Sequence, residues 1–153
     1  MAAEDEIRAV IDARLAGLAA RDARAVIADY AGDAVVFDLP PPLVQPASEL
    51  HDPARLQQWF ASWDGPIAVE QADVTVRMAG ELAVAFGLLH LSGKRTDGSE
   101  GDFWFRSTLC LERQDGGWRI VHEHNSFPML MDGSGRAATE QLPGGGRSTA
   151  PPD

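Results

Sequence analysis

The sequence predicts a single α+β domain, with helices in its first half and strands in its second. Three patterns support this prediction. Apolar residues recur at helical spacing near the N-terminus, the spacing changes to a period of two after residue 66, and glycine-containing turns separate the alternating segments. The chain has 153 residues, 44% of them hydrophobic and 24% charged, which suits one domain with one buried core.

Two helices are predicted before the first strand. The first runs from Glu4 to Ala20, where the apolar residues fall on one helix face. These residues are Ile7, Val10, Ile11, Leu15 and Leu18. The second begins at its cap Asp22, continues through Tyr30 and ends at Gly32.

A short strand over Ala34–Asp38 and a third helix follow. The strand ends against three consecutive prolines at 40–42, which can form neither helix nor ladder. The third helix begins behind Asp52 and Pro53, a cap followed by a first-turn proline, and ends near Gly65. Its apolar face comprises Leu56, Trp59, Phe60 and Trp63.

The second half of the chain alternates between apolar and polar residues. Four strands are predicted over 74–78, 82–88, 104–112 and 118–127, and the turns contain Ala79-Gly80, Thr96-Asp97-Gly98 and Asp115-Gly116-Gly117. Such turns connect neighbouring antiparallel strands, so we expect a meander. We place the domain at residues 1–142. Residues 143–153, rich in Gly, Pro, Ser and Thr, are expected to form a flexible tail.

Charge and composition exclude several classes of partner. The formal net charge of −10 and the absence of a basic stripe argue against nucleic acid and anionic membrane surfaces. Cys110 is the only cysteine, the N-terminus has no basic start, and no run of about 18 apolar residues occurs. We therefore expect a cytoplasmic protein. No G-x-G-x-x-G sequence follows a strand, and no cofactor is predicted.

Polar and aromatic side chains concentrate in the last two strands. Strict alternation places His122, His124 and Ser126 on one face, together with Trp118 and Ile120, and Glu123 and Asn125 on the other. In the preceding strand, the side chains of one face are those of Trp104, Arg106, Thr108 and Cys110. Pairing through the intervening turn would bring the two sets onto one face, although the sequence does not fix the register.

These residues could form a catalytic pocket. Histidine titrates near neutral pH and suits acid and base roles, while Arg106 could hold a carboxylate or an enolate oxygen. Two alternatives stay open: a buried polar network that fixes the sheet, or a face used for dimerisation. His122 and His124 could also ligate a metal ion, with His90 or His51 as a third ligand, but no third ligand is evident and we predict no metal.

A longer motif carries a resemblance to a known family. From Trp104 to Pro128 the sequence reads W-x-R-x-T, then an acidic-glycine turn, then W-x-I-V-H-E-H-x-S-x-P. It resembles the SnoaL-like ketosteroid-isomerase homologues of the nuclear transport factor 2-like superfamily, and the similarity extends over residues 4–142. The motif also resembles the association domain of calcium/calmodulin-dependent kinase, an oligomerisation module. The resemblance implies a cone of three N-terminal helices on a strongly curved antiparallel sheet that encloses a pocket.

The resemblance also implies individual positions. Asp38 falls where ketosteroid isomerases carry their aspartate base. The family's oxyanion-hole tyrosine falls on Arg14, and its second aspartate near Thr108 or Leu109, so neither oxyanion-hole group is matched. The sequence therefore does not predict steroid isomerisation in its known form.

The function expected from the sequence is proton transfer on a small compound that bears a carbonyl or carboxylate, as in an isomerase, cyclase or dehydratase. Asp38 or His122 would be the base, and Arg106 with His124 would stabilise negative charge. Further substrate contacts are expected from Trp59, Trp63, Trp104, Thr108, Ser126 and Tyr30, although Trp59 and Trp63 also suit a core. The alternative is a non-catalytic binding or association module, and a homodimer through the sheet is expected in either case.

Overall fold

The computed structural model describes residues 2–147 and confirms the predicted fold class. The elements in chain order are α1 (Ala3–Ala19), α2 (Ala23–Ile27), β1 (Tyr30–Phe37), α3 (Ala47–Leu50), α4 (Ala54–Ala61), β2 (Ala68–Ala79), β3 (Leu82–Lys94), β4 (Glu100–Gln114) and β5 (Gly117–Ser126). The strands form one sheet in the order β1-β5-β4-β3-β2. Helix α1 packs across one face of this sheet, which we call the inner face.

Helices α1 and α2 differ in how closely they follow the prediction. The first is confirmed: Ile7 and Ile11 are buried, and the acidic first turn complements the helix dipole. In the second, Asp22 accepts a hydrogen bond from the Ala25 backbone as predicted, but the helix ends at Ile27. The prediction that it continues through Tyr30 is wrong, because Tyr30 pairs with Ile120 as the first residue of β1.

The connection from β1 to β2 contains one helix more than predicted. Asp52 accepts a hydrogen bond from the backbone of Ala54, the first residue of α4, but the N-cap of this helix is Pro53 and not Asp52 as predicted. The additional helix α3 is a single turn over Ala47–Leu50, anchored by the buried Leu50 against β1. A four-residue helix leaves too little periodicity to be recognised in a sequence.

The sheet is antiparallel from β2 to β5, as predicted, but β1 lies parallel to β5. No hairpin joins β1 to β5, so tertiary packing sets their relative direction. Register breaks occur within β1, within β2 and within β5. Extra residues of this kind bend a strand and increase its twist, which produces a curved sheet.

Two apolar clusters fill the inner face. One lies beneath α1 and contains Ile7, Ile11, Ala83, Ala85, Leu109, Leu111, Trp118 and Ile120. The other lies beneath α2 and α4 and contains Ala23, Val26, Phe60, Trp63, Ile67, Leu91 and Phe105. Their burial accounts for most of the driving force for folding.

The last described residues continue beyond the sheet without regular structure. Gln141 and Arg147 form an isolated bridge, and the backbone of Leu142 bonds to that of Gly146 at 2.9 Å. The predicted tail therefore begins with a closed turn, and its residues 148–153 lie outside the described part of the chain. Among residues 2–147, no helix combines the length and apolar composition needed to cross a membrane.

Candidate functional site

A bulge in β5 decides which side chains face the interior. Cys110 pairs with His122, but the next residue of β4, Leu111, pairs with Ile120, so Val121 has no partner in β4. An extra residue reverses the alternation of side chains from that point on. Trp118 and Ile120 therefore share the inner face with residues 123 and 125, all of them buried.

The two histidines consequently lie on the outer face, and the prediction that they line the interior pocket is wrong. His122 donates from Nδ1 to the carbonyl of Val35 at 2.6 Å, and His124 is exposed. Arg106 is exposed as well and donates to the hydroxyl of Ser126 at 3.1 Å. Thr108 pairs directly with His124, as the predicted strand pairing requires, but on the solvent side of the sheet.

The predicted tryptophans also lie away from the interior pocket. Trp63 is 1% exposed and belongs to the core. Its ring packs so closely on Gly101 that a Cβ there would stand 2.6 Å from it. Trp59 packs against the same cluster. Trp104 lies on the outer face, where its ring stacks on His90 with centroids 4.7 Å apart, and His90 bonds to Asp102 at 2.6 Å.

The polar group that does occupy the interior is an ion pair between α1 and β5. Arg14 donates from both terminal nitrogens to the carboxylate of Glu123, at 2.9 and 2.8 Å. Arg14 also donates to the Tyr30 hydroxyl at 2.8 Å and to the backbone carbonyl of Val26 at 3.2 Å. Tyr30 in turn donates to Glu123. Two-point geometry of this kind makes the pair strong and directional.

Asn125 connects this ion pair to Asp38. Its amide nitrogen donates to Glu123 at 3.2 Å and to Asp38 at 3.0 Å. Asp38 follows β1 and also accepts from the backbone of Leu39 at 2.8 Å. Both of these hydrogen bonds reach Oδ1, and within residues 2–147 no hydrogen bond reaches Oδ2. We call Arg14, Tyr30, Asp38, Glu123 and Asn125 the interior network.

Burial and the neighbouring charges shift the pKa values of three groups in the interior network. Burial alone would raise the pKa of Glu123, but the Arg14 charge and the hydrogen bonds to the carboxylate outweigh it and hold the pKa below its usual value. Burial raises the pKa of Tyr30, and the Glu123 charge raises it further against the opposing effect of Arg14. Burial would lower the pKa of Arg14, but the carboxylates, Asp38 among them, raise it. Arg14 and Glu123 are therefore charged and Tyr30 is neutral at pH 7.

A cleft on the inner face reaches the network at Arg14. A cavity of about 40 Å³ that is open to solvent lies between α1 and strands β2, β3 and β4. The lining is largely apolar and includes Ile11, Leu15, Val74, Leu89 and Leu109, with Arg14, Gln71 and Ser107 as polar members. An apolar cleft with a few polar groups is the usual form of a small-molecule site.

Arg14, Glu123 and Asn125 were not among the predicted site residues. Glu123 and Asn125 were assigned to the opposite face because nothing in the sequence marks a bulge at Val121. Arg14 did carry a signal. It lies three residues after Ile11 and four before Leu18, within the apolar stripe of α1, and a charged residue in a buried stripe requires a partner. Of the predicted residues, the structure brings only Asp38 and Tyr30 into the network.

No metal site accompanies the histidines in the described part of the chain. Within residues 2–147, no three or more His, Cys, Asp and Glu side chains are grouped so that they could hold a metal ion. His122 and His124 have ring centroids 6.3 Å apart, and one nitrogen of His122 is committed to Val35.

The fold and the interior network together define a curved-sheet protein with a largely apolar cleft under its first helix. The family model described as the SnoaL-like domain matches residues 7–130. The chain therefore belongs to the SnoaL-like family, as its W-to-P motif indicated. No curated protein matches the sequence.

Solved structures share the fold of this chain. A nuclear transport factor 2-like protein of unknown function from Pseudomonas putida KT2440 is 32% identical, with 92% of this chain and 96% of the other covered and a TM-score of 0.79. A ketosteroid isomerase-like protein from Erwinia carotovora atroseptica is 21% identical over 80% of this chain and 93% of the other, with a TM-score of 0.65. A nuclear transport factor 2-like superfamily protein from Salmonella enterica Typhimurium is 20% identical over 87% of this chain and 96% of the other, with a TM-score of 0.69. The last two show the fold alone.

Proposed function

We propose that the protein catalyses proton transfer on a small, largely apolar carbonyl compound bound in the inner cleft, with Asp38 as the base. The observation that supports this is a continuous series of hydrogen bonds from Asp38 through Asn125 and Glu123 to Arg14, which lines the cleft. A carboxylate and a guanidinium held by a buried framework are the groups that enolisation requires. The likeness to a ketosteroid isomerase-like protein agrees with this chemistry.

The proposed catalytic roles follow from which charges already have an oppositely charged partner. Arg14 and Glu123 compensate each other's charge, whereas the partners of Asp38 are neutral N–H donors. Asp38 would take a proton from the carbon beside the carbonyl through Oδ2. Four of the five N–H groups of Arg14 are used by Val26, Tyr30 and Glu123. The fifth, on Nη1, would stabilise the negative charge that develops on the carbonyl oxygen.

Hydrogen–deuterium exchange beside a carbonyl tests this proposal without knowledge of the natural substrate. We expect the protein to accelerate exchange of the α-protons of 1-tetralone in deuterated buffer, followed by proton NMR. Asp38→Asn should lower the accelerated rate by a factor on the order of 100 or more, because a positioned base contributes about that much. The variant should fold, since its amide oxygen still accepts from Leu39 and Asn125.

Asp33→Asn is the matched control. Asp33 lies on the same strand but is exposed, so its substitution removes the same charge without touching the interior network. We expect its exchange rate to equal that of the wild type. A wild-type rate no faster than buffer, or an Asp38→Asn rate equal to wild type, would contradict the proposal.

A second candidate function is association through the outer face of the sheet. This face presents apolar side chains to solvent: Val35 is 44% exposed, Phe86 43% and Leu82 56%. Exposed apolar groups clustered on one sheet face are typical of an interface. We propose a homodimer through this face, which would also cover His122 and His124.

Sedimentation equilibrium measures this association directly. Wild-type protein should sediment as a dimer and Phe86→Glu as a folded monomer, because the substitution buries a charge in the interface. Leu43→Glu is the control, since Leu43 is 94% exposed in the proline-containing loop and lies outside the sheet. A monomeric wild type would rule out the dimer and leave the cleft proposal unaffected.

We further propose a cytoplasmic location. Cys110 is free and half-buried, so the chain gains nothing from an oxidising compartment. Immunoblots of fractionated cells should find the protein with cytoplasmic markers, and recovery in an extracellular fraction would contradict this location.

A further inference from the structure

Among residues 2–147, Ser107 is the only one that brings a hydroxyl to the lining of the cleft. It lies on the inner face of β4, between the buried apolar residues Phe105 and Leu109. A hydroxyl in such surroundings loses hydration and normally bonds to a neighbouring group of the protein. Its hydrogen bonding therefore shows whether Ser107 serves the fold or the cleft.

The Ser107 hydroxyl has no partner in the protein and is open to the cleft. Within residues 2–147 no hydrogen bond reaches it, and it is not one of the fully buried polar atoms that lack a partner. Those atoms belong to Gln45, Trp63 and Asn125, none of which lines the cleft. The Ser107 oxygen therefore keeps accessible surface, and because its side chain lies on the inner face, that surface belongs to the cleft.

The residue opposite Ser107 leaves the hydroxyl uncovered. Gly87 of β3 pairs directly with Ser107 and also lines the cleft. A side chain at this position is excluded by the close approach of β2, because an added Cβ would stand 3.0 Å from the carbonyl oxygen of Ala72 and 3.1 Å from the Cα of Val74. The glycine thus admits β2 and keeps the Ser107 hydroxyl free for a ligand.

Arg14 brings a second donor to the same cleft. One N–H on Nη1 is left after the bonds to Val26, Tyr30 and Glu123. The cavity of about 40 Å³ has room for about three water molecules, at about 10–15 Å³ each. A space of this size takes one functional group of a ligand, so a single polar group would lie close to both donors, with the apolar remainder toward the open side.

We infer that Ser107 is a specificity-determining residue which binds, together with Arg14, a neutral carbonyl oxygen of the ligand. This inference rests on the proposal that the cleft binds a small molecule. The Ser107 hydroxyl and the remaining N–H of Arg14 both donate to that oxygen, and two donors match its two lone pairs. A ligand without the oxygen makes neither hydrogen bond.

The charges beside the cleft favour a neutral oxygen over a carboxylate. The guanidinium charge of Arg14 is already compensated by Glu123. The partners of Asp38 are neutral N–H donors, so no free cation is available from that side either. A bound carboxylate would bring an anion into a largely apolar cleft without a cation to meet it, which is costly. The preferred ligand is therefore a ketone or aldehyde with an apolar body.

Two probes with the same ring system test the Ser107 hydroxyl. 1-Tetralone carries a carbonyl, whereas tetralin has the same rings and no oxygen. In equilibrium dialysis, Ser107→Ala should weaken the binding of 1-tetralone about fivefold and leave the dissociation constant of tetralin unchanged, because only the ketone loses a hydrogen bond. The variant should fold like the wild type, since the hydroxyl has no partner in the protein.

Ser92→Ala is the matched control. Ser92 is also half-buried, but it lies on the outer face of β3, opposite Asp102. The substitution removes the same hydroxyl away from the cleft, so both dissociation constants should equal those of the wild type. No binding of 1-tetralone up to its solubility, or an equal effect of Ser107→Ala on both probes, would overturn the inference.

A third probe tests the preference for a neutral oxygen. 1,2,3,4-Tetrahydro-1-naphthoate carries a carboxylate on the ring carbon that bears the oxygen in 1-tetralone. At pH 7 the wild type should bind it at least about tenfold more weakly than 1-tetralone, because no free cation meets its charge. Equal or tighter binding of the carboxylate would overturn the assignment of a neutral carbonyl.

These outcomes are separable from the proposed catalysis. A fivefold loss that Ser107→Ala shows with 1-tetralone alone, together with no α-proton exchange, would remove the role of Asp38 as a base and retain the role of Ser107. Exchange that depends on Asp38, together with equal binding of 1-tetralone by Ser107→Ala and wild type, would do the reverse.

Discussion

The two faces of β5 carry different physical chemistry within a few residues of sequence. On the inner face, Glu123 and Asn125 belong to a network in which the Glu123 carboxylate is buried and paired with Arg14. On the outer face, His122 and His124 lie among half-exposed aromatic and apolar groups such as Phe37. One extra residue, Val121, separates the two patterns. The difference teaches that a single bulge, and not the composition of the strand, assigns side chains to the interior or to solvent.

The largest expected effect comes from removing one partner of the buried ion pair. Arg14→Met leaves the Glu123 carboxylate buried without its cation, and we expect the free energy of unfolding to fall by about 3–5 kcal/mol. Urea denaturation measures this loss. The double variant Arg14→Met with Glu123→Leu should regain part of it, because both charges are then absent.

Arg8→Met is the control on the same helix. Arg8 bonds to Glu4 at 2.9 Å, but both side chains are exposed, so its loss should cost less than about 1 kcal/mol. Equal losses for Arg14→Met and Arg8→Met would contradict the distinction between the two faces.

Packing on the inner face should produce the next largest effect. A methyl group added by Gly101→Ala would stand 2.6 Å from the Trp63 ring, and we expect overpacking of about 1–3 kcal/mol in thermal or urea unfolding. Gly117→Ala is the matched control, because no atom lies within 4 Å of its added Cβ. A Gly101→Ala variant as stable as Gly117→Ala would show that Trp63 is not tightly packed.

Acid should weaken the interior network through Glu123. Because the folded protein holds the pKa of Glu123 below its usual value of 4.5, the unfolded chain takes up the proton first as pH falls. The stabilisation from this carboxylate is therefore complete well above pH 4.5 and is lost as the pH falls through that value and below it. Urea unfolding of the wild type between pH 7 and pH 3 should show this loss of stability, and Glu123→Gln should show a smaller dependence of stability on pH. The same dependence on pH in both proteins would argue against an ionised buried Glu123.

The smallest effect is expected on the outer face. His124→Ala should change the free energy of unfolding of the monomer by no more than about 0.5 kcal/mol, because the side chain is exposed. Asn125→Ala, one residue further on, should cost about 1–3 kcal/mol by leaving two carboxylates without a donor. Similar losses for the two variants would place both residues on the same face.

Periodicity alone predicted much of the fold but little of the site. Helix α1 and the meander from β2 to β5 follow from apolar spacing and turn residues, which are local properties. The position of β1 beside β5 depends on tertiary packing, and no hairpin signal reports it. The bulge at Val121 involves neither glycine nor proline, so strict alternation assigned His122 and His124 to the interior. Arg14 was recognisable in principle as a charge within the apolar stripe of α1.

Alkaline titration of Tyr30 tests most directly whether the interior network is buried as described. Tyr30 is the only tyrosine, so the near-ultraviolet absorbance of tyrosinate reports on this residue alone. Burial and the adjacent Glu123 raise its pKa above the ordinary 10.0, so the unfolded chain loses the phenolic proton first and stability falls as pH rises above that value. We predict that tyrosinate appears only as circular dichroism reports unfolding. Tyrosinate formation centred near pH 10.0 in a protein that is still folded would contradict a buried Arg14–Tyr30–Glu123 centre.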